Sequence, residues 1–392
     1  MTAMQRRANK VIGVLLDREG FGRRVYQGIQ RFRREHAELD FRPLQLDPHG
    51  LKVGLEMLKP AGVIGQLAVP AYRTLLTQAA LPAVNVSMAR PTTLPTVAVD
   101  QVAIGRLAAG HLLDRGFRHL ACVHTHWTWF SQLRRAGFEA MAREADVSCT
   151  SLDYHNEFAA EMQKLGDSRN QRLATEANLS VWLSKLPARS GVLLSGEFYD
   201  ADVVTRGSGR RVPEDVAVVV VGDDPDSCDY AQPSLSSVDL PLERVGHEAA
   251  VAISRLLEGR SVAERCLLEP TGVTTRLSTD AMALDDDDVA QAARYIGAQA
   301  HRGIRVSDVV AEVAVPRRTL EVRFRAAMGR SMLDEIRLRQ FERARMLLAE
   351  TDLPMELVAK RCGMKRQQRL CQVFRERLNT TPRTYRMRFR PT

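Results

Sequence analysis

The chain has 392 residues, of which 45% are apolar and 26% charged, a composition that indicates a globular protein with room for two or three domains. No run approaches the ~20 apolar residues of a membrane span, and the apolar run 11–16 ends too early for a signal peptide. The net charge of +9 is uneven, because residues 289–392 hold 23 Lys and Arg against 10 Asp and Glu. A strongly basic end on a near-neutral body predicts contact with phosphates.

Residues 10–276 alternate short apolar runs with amphipathic stretches. The strand-like runs are residues 11–16, 62–67, 82–87, 119–124, 191–195 and 216–222. The helical stretches include residues 23–35, 103–115, 132–144 and 242–257. This alternation predicts parallel sheets flanked by helices, and the run 216–221, apolar on both faces, predicts a strand buried between helix layers. The acidic run 284–288 predicts a solvated linker or the start of a helix, and we place a linker at 281–288.

Four segments of this body carry a resemblance to a known family. They are VIGVLLD (11–17), VAVDQVAIGRLAAGHLLDRGFRHLACV (97–123), RRAGFEAM (134–141) and VPEDVAVVVVGDDPDSCDYAQPSLSSVDLPLERVGHEAA (212–250). Together they resemble the periplasmic-binding-protein-like sensors of the LacI type. The resemblance implies a two-lobed α/β effector-binding domain over residues 1–280, with a sugar or similar molecule clamped at the carboxyl ends of the strands. General α/β architecture places ligands at the same ends.

The resemblance also assigns candidate effector-binding residues. Arg134 matches the arginine of the RxxGF motif and Asp223 the aspartate that follows the VVVVG strand, and both are expected to bind ligand hydroxyls. A planar guanidinium and an acceptor carboxylate suit adjacent hydroxyl groups, although each residue is also consistent with a salt bridge at the surface or between lobes. Further candidates at strand ends are Asp17, Phe21, Ser87, Arg90, Trp127, Trp129 and Glu197. The two tryptophans are equally consistent with sugar stacking and with ordinary loop packing.

Two other chemistries are weighed against this assignment. Cys122, His124 and His126 alternate along a predicted strand, so they can face one side as metal ligands, but no further spacing completes a site and no metal is expected. The six cysteines form no CxxC pair, which favours a reducing cytoplasm. No GxSxG, GxxxxGK[ST] or GxGxxG motif is present, so neither an enzyme nor a bound cofactor is expected.

Residues 289–392 hold two helix-turn-helix patterns. In the first, Ser307 is expected to cap a short helix, and Pro316 to start a second helix anchored by Leu320 and Phe324. In the second, Gly363 is expected to form the turn before a helix anchored by Leu370, Val373 and Phe374. Residues 332–350 predict a long connecting helix, which would hold the two motifs at a fixed separation.

The segments VSDVVAEVAVPRRTLEVRFRAAMG (306–329), RLRQFERARMLL (337–348) and ELVAKRCGM with VFRERLNTTPRTYR closely resemble the AraC/XylS-type DNA-binding domain. The resemblance implies DNA contact by residues on the outer faces of the two second helices. These are Arg317, Arg318, Glu321, Val322 and Arg325 in the first motif and Lys365, Arg366, Gln367, Gln368 and Arg369 in the second. Arg and Gln suit bidentate contact with base edges. The run KRQQR (365–369) departs from the family, so its base preference is not inherited.

Together these features predict an α/β sensor followed by an all-α domain with two helix-turn-helix motifs. The expected function is a cytoplasmic, sequence-specific transcriptional regulator, an activator of a sugar-catabolic operon of the xylose type. A non-sugar effector and a repressor remain the alternatives. The expected partners are double-stranded operator DNA, a small-molecule effector, a second copy of the chain and, for an activator, RNA polymerase. A transport binding protein would have no use for the DNA-binding segment.

Overall fold

The computed structural model describes residues 10–18, 20–157, 168–195, 200–280 and 286–389. These form two compact units. Unit 1 contains the described residues up to Gln101, together with Trp127–Phe130 and Pro241–Pro270. Unit 2 contains Val102–His126, Ser131–Leu240 and the described residues from Thr271 onward. Within the described ranges no helix is long and apolar enough to cross a membrane.

The elements alternate between strands and helices until residue 279 and are helical thereafter. The strands are β1 (Lys10–Leu15), β2 (Leu39–Pro43), β3 (Gly62–Gly65), β4 (Ala83–Asn85), β5 (Thr96–Val99), β6 (His119–His124), β7 (Ser148–Asp153), β8 (Ser190–Leu194), β9 (Val216–Val221), β10 (Ser236–Asp239), β11 (Arg265–Leu268) and β12 (Gly272–Thr274). The helices before the all-helical part are α1 (Gly20–Glu35), α2 (Pro48–Leu58), α3 (Pro70–Gln78), α4 (Gln101–Leu113), α5 (Trp129–Glu144), α6 (Tyr154–Glu157), α7 (Ser168–Ser184), α8 (Ala201–Gly207), α9 (Pro225–Cys228) and α10 (Leu242–Leu257).

Unit 1 is built on a parallel sheet in the order β11-β5-β4-β3-β1-β2. Helices α1 and α10 pack against one another at unusually short range. A Cβ atom on Gly28 of α1 would lie 1.7 Å from the carbonyl oxygen of Glu243, and one on Gly246 of α10 would lie 1.8 Å from that of Val25. Glycine at both positions therefore allows the two backbones to touch.

Unit 2 contains a second sheet in the order β12-β10-β9-β8-β6-β7, parallel except for the β10–β12 pair. The central strand β9, sequence VAVVVV, is buried over its first five residues, as expected for a strand covered on both faces. Helices α4 and α5 repeat the close approach seen in unit 1. A Cβ atom on Gly105 would lie 1.9 Å from the Arg134 carbonyl oxygen, and one on Gly137 would lie 2.1 Å from that of Val102.

The all-helical part of unit 2 contains seven α-helices within the described residues. They are α11 (Asp287–Gln299), α12 (Val306–Val313), α13 (Arg317–Met328), α14 (Met332–Glu350), α15 (Met355–Arg361), α16 (Gln367–Leu378) and α17 (Pro382–Phe389). Two separate apolar cores hold them. Leu320, Phe324 and Met332 belong to the first core, and Phe341, Leu370 and Phe374 belong to the second. Helix α14 contributes to both cores and so joins the two halves.

Two predictions about helix starts differ from the structure. Ser307 does not cap α12, because the helix begins one residue earlier with Arg305 as the N-cap, and the Asp308 carboxylate accepts the Arg305 N–H at 2.7 Å. The predicted linker 281–288 ends too late. Residues 281–285 lie outside the described ranges, but Asp286 caps α11 and the two following aspartates form its first turn. Asp286 and Asp288 both pair with Arg323 of α13, so one arginine holds these two aspartates.

The segment that leads into helix α14 contacts the α/β part of unit 2. Arg330 donates from Nη1 to the Asp114 carboxylate at 3.0 Å and from Nη2 to the Asp114 carbonyl oxygen at 3.0 Å, just after α4 ends. Its Nε pairs with Glu335 at 2.5 Å, and Glu335 also accepts Arg339 Nε at 2.7 Å. Glu335 is fully buried. A shared buried carboxylate thus orders both arginines at the contact with α4.

His111 of α4 is buried beside this contact. Arg115 Nη1 donates to His111 Nδ1 at 3.0 Å, so the remaining ring proton is on Nε2 and is donated to Thr279 Oγ1 at 2.8 Å. Burial, followed by the charges of Arg115 and Arg339, holds the His111 pKa well below its usual 6.5. The folded protein therefore keeps this ring neutral at a pH where the unfolded chain protonates it.

We expect the free energy of unfolding of the full chain to fall as the pH drops below about 6.5, because the unfolded state then binds more protons at His111. The slope from this one residue reaches at most about 1.4 kcal/mol per pH unit. Urea unfolding between pH 7 and pH 5 measures it. His111→Gln should have a shallower slope, and an unchanged slope would show that other groups, such as His247, whose pKa burial also lowers, account for the acid sensitivity.

Candidate nucleic-acid interface and effector sites

The first helix-turn-helix motif is α12, a turn, and α13. The turn places Ala314 in the left-handed region at φ 57°, where small or glycine residues are usual. Pro316 is the N-cap of α13, one residue before the first helical residue, where the sequence predicted it to start the helix. Leu320 and Phe324 are fully buried and fix the inner face of α13. The five predicted DNA-contacting residues of this motif are all exposed, and they are Arg317, Arg318, Glu321, Val322 and Arg325. Arg317 Nε donates to Glu321 at 2.9 Å along this outer face.

The second motif repeats this arrangement in α15, a turn at Gly363 with φ 75°, and α16. Leu370 and Phe374 are fully buried, as predicted. Helix α16 begins at Gln367, so of the predicted contact residues Lys365 and Arg366 precede the helix, with Arg366 as its N-cap. Lys365, Arg366, Gln367 and Gln368 are exposed and Arg369 is partly buried.

The two second helices are equivalent residue by residue. Both have twelve residues, and the pairs Leu320/Leu370 and Phe324/Phe374 are offset by the same number as the helix starts. Val322 is therefore equivalent to Gln372, and Arg325 to Arg375. Gln372 and Arg375 are exposed and were not among the predicted contact residues. The sequence could have identified Gln372 and Arg375, because aligning Leu320 with Leu370 and Phe324 with Phe374 places them opposite Val322 and Arg325.

The two motifs are held to each other by the connecting helix and by a glycine contact. Gln340 Nε2 on α14 donates to the Ala300 carbonyl oxygen at 3.0 Å, next to the first motif, and to that of Gly363 in the second turn at 3.4 Å. A Cβ on Gly363 would lie 2.5 Å from the Ala300 carbonyl oxygen. This close packing fixes the separation of the two outer faces, as expected from the long helix.

The effector candidates of unit 1 lie after the strands of its sheet. Asp17 follows β1; its N–H donates to Gln66 Oε1 at 2.8 Å and its carboxylate accepts the Gly22 N–H at 3.0 Å. A cavity of about 380 Å³ opens beside it, lined by Leu16, Asp17, Arg18, Leu44, Gln45 and Leu46. Since Gln45 follows β2 as Asp17 follows β1, the cavity lies at the carboxyl edge of this parallel sheet, where ligands are expected.

The remaining unit 1 candidates have different surroundings. Phe21 and Ser87 are partly buried and Arg90 is exposed. Ser87 Oγ accepts the Ala89 N–H at 3.1 Å, which ties it into its own loop. Trp127 is 59% exposed, whereas Trp129 is partly buried and its ring lies 5.1 Å from the Arg265 guanidinium. Trp127 is thus the more exposed of the two, and Trp129, the first residue of α5, packs beside Arg265.

In unit 2 the two main candidates are both engaged. Arg134 is buried and donates from Nη1 to the Ser195 carbonyl oxygen at 3.1 Å, just beyond the end of β8. The Asp223 carboxylate accepts Arg276 Nη2 at 2.6 Å and Ser237 Oγ at 3.0 Å. The salt bridge considered as the alternative for Asp223 is therefore present. Glu197 lies outside the described residues.

The possible metal ligands are not assembled as a site. Cys122 is fully buried, and burial raises its thiol pKa, which disfavours the thiolate that a metal needs. His126 is exposed and pairs through Nδ1 with Asp153 at 2.7 Å. In the part of the chain that the structure describes, no group of three His, Cys, Asp or Glu residues is placed to hold a metal ion.

Two α/β units followed by a helical domain with two helix-turn-helix motifs define a DNA-binding regulator with a sensor-like body. Comparison with known proteins agrees. Residues 109–279 match the sequence model of the periplasmic binding protein-like domain, and residues 309–388 match that of the helix-turn-helix domain, here of the AraC type. The predicted fold class is confirmed.

The chain is similar to the xylose operon regulatory proteins of Haemophilus influenzae, at 28% identity over 75% of each chain, and of Escherichia coli K12, at 27% identity over 74% of this chain and 73% of the relative. The solved structure of the xylose-binding transcription activator xylR has the same fold, with a TM-score of 0.58 at 24% identity, covering 96% of this chain and 97% of that chain. The chain is thus a transcriptional regulator that is similar to the xylose operon regulatory proteins.

Proposed function

We propose that this regulator reads operator DNA with the outer faces of α13 and α16, and that a sugar bound by the α/β units changes its affinity for the operator. The observation that carries the DNA half is the pair of equivalent helices, each with a buried Leu and Phe and an outer face that exposes Arg or Gln. Such helices enter major grooves, and two held at a fixed separation suit adjacent grooves about one helical turn apart.

DNA affinity should depend steeply on salt, because the +13 balance of residues 289–392 neutralises several phosphates and releases their counterions. Titration of full-length protein with a duplex selected from a random pool, at 50 to 300 mM KCl, measures the slope. Arg318→Ala should weaken binding and reduce the slope by about one. Arg172→Ala is the matched control, since Arg172 lies on α7 and pairs with Glu176. Salt-independent affinity would contradict this mode of binding.

The sugar half is supported by the names of the relatives and by the cavity at the carboxyl edge of the unit 1 sheet. Arg134 is the residue we assign to the ligand in unit 2, because its buried guanidinium lies just beyond the end of β8. We propose Asp223 as a second ligand residue. Its carboxylate would then accept hydrogen bonds from both the ligand and Arg276. D-xylose is the first sugar to test, and other pentoses, hexoses and their acids follow.

D-xylose in the millimolar range should raise the melting temperature of the wild-type protein, because a ligand bound only by the native state stabilises it. Arg134→Ala should lose this shift while keeping its DNA affinity without sugar. Arg135→Ala is the control on the same helix, since its side chain points to Glu139. Retention of the full shift in Arg134→Ala would remove Arg134 from the site, and a shift with non-sugar compounds alone would replace the sugar with another effector.

The same proposal covers the assembly and the setting. We infer a homodimer that binds a two-fold symmetric operator. Its two chains present four reading helices, α13 and α16 of each chain. We further propose that the protein acts in the cytoplasm and activates a catabolic operon by contact with RNA polymerase. Repression of the operon is the alternative. Footprinting beside sedimentation decides the assembly, because a monomer that protects only one pair of adjacent grooves would contradict the dimer.

A further inference from the structure

One residue of the DNA-facing surface of α13 differs in chemistry from its neighbours. Val322 is 64% exposed, whereas Leu320, Phe324 and Met328, the other large apolar residues of α13, are at most 5% exposed. It lies four residues after Arg318 and three before Arg325, so the 3.6-residue period places all three on one face of the helix. An apolar side chain therefore lies between two of the arginines expected to meet phosphates and base edges.

Neither helix stability nor the core explains a valine at this position. A β-branched residue is a weaker helix former than Arg, Lys or Ala on an exposed face, and Val322 belongs to neither apolar core. Single exposed apolar residues are common on protein surfaces and need no explanation by themselves. What distinguishes this one is its place between Arg318 and Arg325 on the face that is expected to meet DNA.

The second motif gives an internal comparison. Gln372, the equivalent of Val322 in α16, is also exposed, and its Nε2 donates to Glu376 Oε1 at 2.7 Å. Its amide is thereby held on the outer face with hydrogen-bonding capacity left for a base edge. The same helical position thus carries a polar, base-reading chemistry in one motif and an apolar chemistry in the other. The two reading helices are suited to different base pairs.

We propose that Val322 is a specificity-determining residue that contacts the 5-methyl group of a thymine in the major groove. The major-groove edge of thymine is the one that presents a methyl group, and apolar side chains are the ones that recognise it. The inference rests on the proposed approach of α13 to DNA. It adds that the half-site read by α13 contains an A·T pair recognised by its methyl group, which the half-site read by α16 does not require at the equivalent position.

The test replaces thymine with deoxyuridine, which removes only the methyl group and preserves base pairing. A duplex selected by the full-length protein is synthesised with each thymine replaced in turn, and affinity is measured for wild type, Val322→Ala and Gln372→Ala. One replacement should weaken wild-type binding about fourfold, the loss expected for removing one buried methyl contact. The same replacement should leave Val322→Ala unaffected and still weaken Gln372→Ala.

The outcomes separate this inference from the proposed function. If no thymine position is sensitive, or if Val322→Ala keeps the wild-type sensitivity, Val322 does not read a methyl group although DNA binding stands. If Arg318→Ala and wild type bind the selected duplex equally, α13 does not face DNA and the proposed mode of binding fails. Because Val322 is exposed, Val322→Ala should retain the wild-type melting temperature, so its effect on DNA is not a folding defect.

Discussion

Gly105→Ala should destabilise the protein by about 3 kcal/mol or more, because the new Cβ would lie 1.9 Å from the Arg134 carbonyl oxygen, and a backbone atom cannot move aside as a flexible side chain does. Helices α4 and α5 would have to separate, and the close approach at Gly105 and Gly137 would be lost. The position of Arg134 would change with them, so sugar binding should weaken as well.

Gly110→Ala on the same helix is the matched control, since nothing lies within 4 Å of its Cβ position. Alanine there should raise the free energy of unfolding by about 0.5–1 kcal/mol, the usual gain over glycine within a helix. Urea unfolding of both variants therefore tests opposite signs with one substitution type. Equal stability of the two variants would mean that α4 and α5 can move apart at little cost.

Glu335→Ala should cost about 3–5 kcal/mol, because it removes a fully buried carboxylate and leaves the partly buried Nε groups of Arg330 and Arg339 without their acceptor. Although burial opposes the charged form of Arg339, Glu342 and Glu335 raise its pKa above the ordinary value, so the guanidinium remains charged in the folded protein. It cannot escape the penalty by losing its proton.

Glu342→Ala removes the other carboxylate that pairs with Arg339, but this one is 37% exposed, so its loss should cost only about 0.2–1 kcal/mol. The difference in the free energy of unfolding between the two variants shows how burial changes the contribution of each carboxylate that pairs with Arg339. Calorimetric unfolding of the full chain gives both values. A cost for Glu335→Ala no larger than that for Glu342→Ala would show that water reaches the arginines once the carboxylate is gone.

The fold was predictable where apolar runs are long and buried. Hydrophobic periodicity predicts several elements, because each has an uninterrupted apolar face. These are the strands β6, β8 and β9 and the helices α4, α5 and α10. Six strands were not predicted, namely β2, β5, β7, β10, β11 and β12. All are six residues or shorter, and four of them, β2, β7, β11 and β12, lie at sheet edges. A strand this short shows little apolar pattern, and less where it is polar, as the sequence SCTSLD of β7 illustrates.

The candidate sites were predictable to different extents. The buried anchors of α13 and α16 are local patterns, so their outer faces followed from helical spacing alone. The Asp223–Arg276 pair and the Asp114–Arg330 contact join residues far apart in the chain, and nothing in the sequence near either member indicates its partner. Resemblance predicted Asp223 to be a ligand residue, and only the three-dimensional structure shows that Arg276 pairs with its carboxylate.

Helix α14 is attached near both of its ends to the α/β part of unit 2. Near its start, Arg330 holds the end of α4, and near its end Arg345 Nη2 and the Tyr385 hydroxyl donate to the Thr271 carbonyl oxygen, at 3.3 and 3.5 Å. Because α14 is held at two separate points, it cannot rotate about either one relative to the α/β part of unit 2. A rotation of that part would therefore move α14 with it. Both reading helices would then be displaced together, with the spacing between them unchanged.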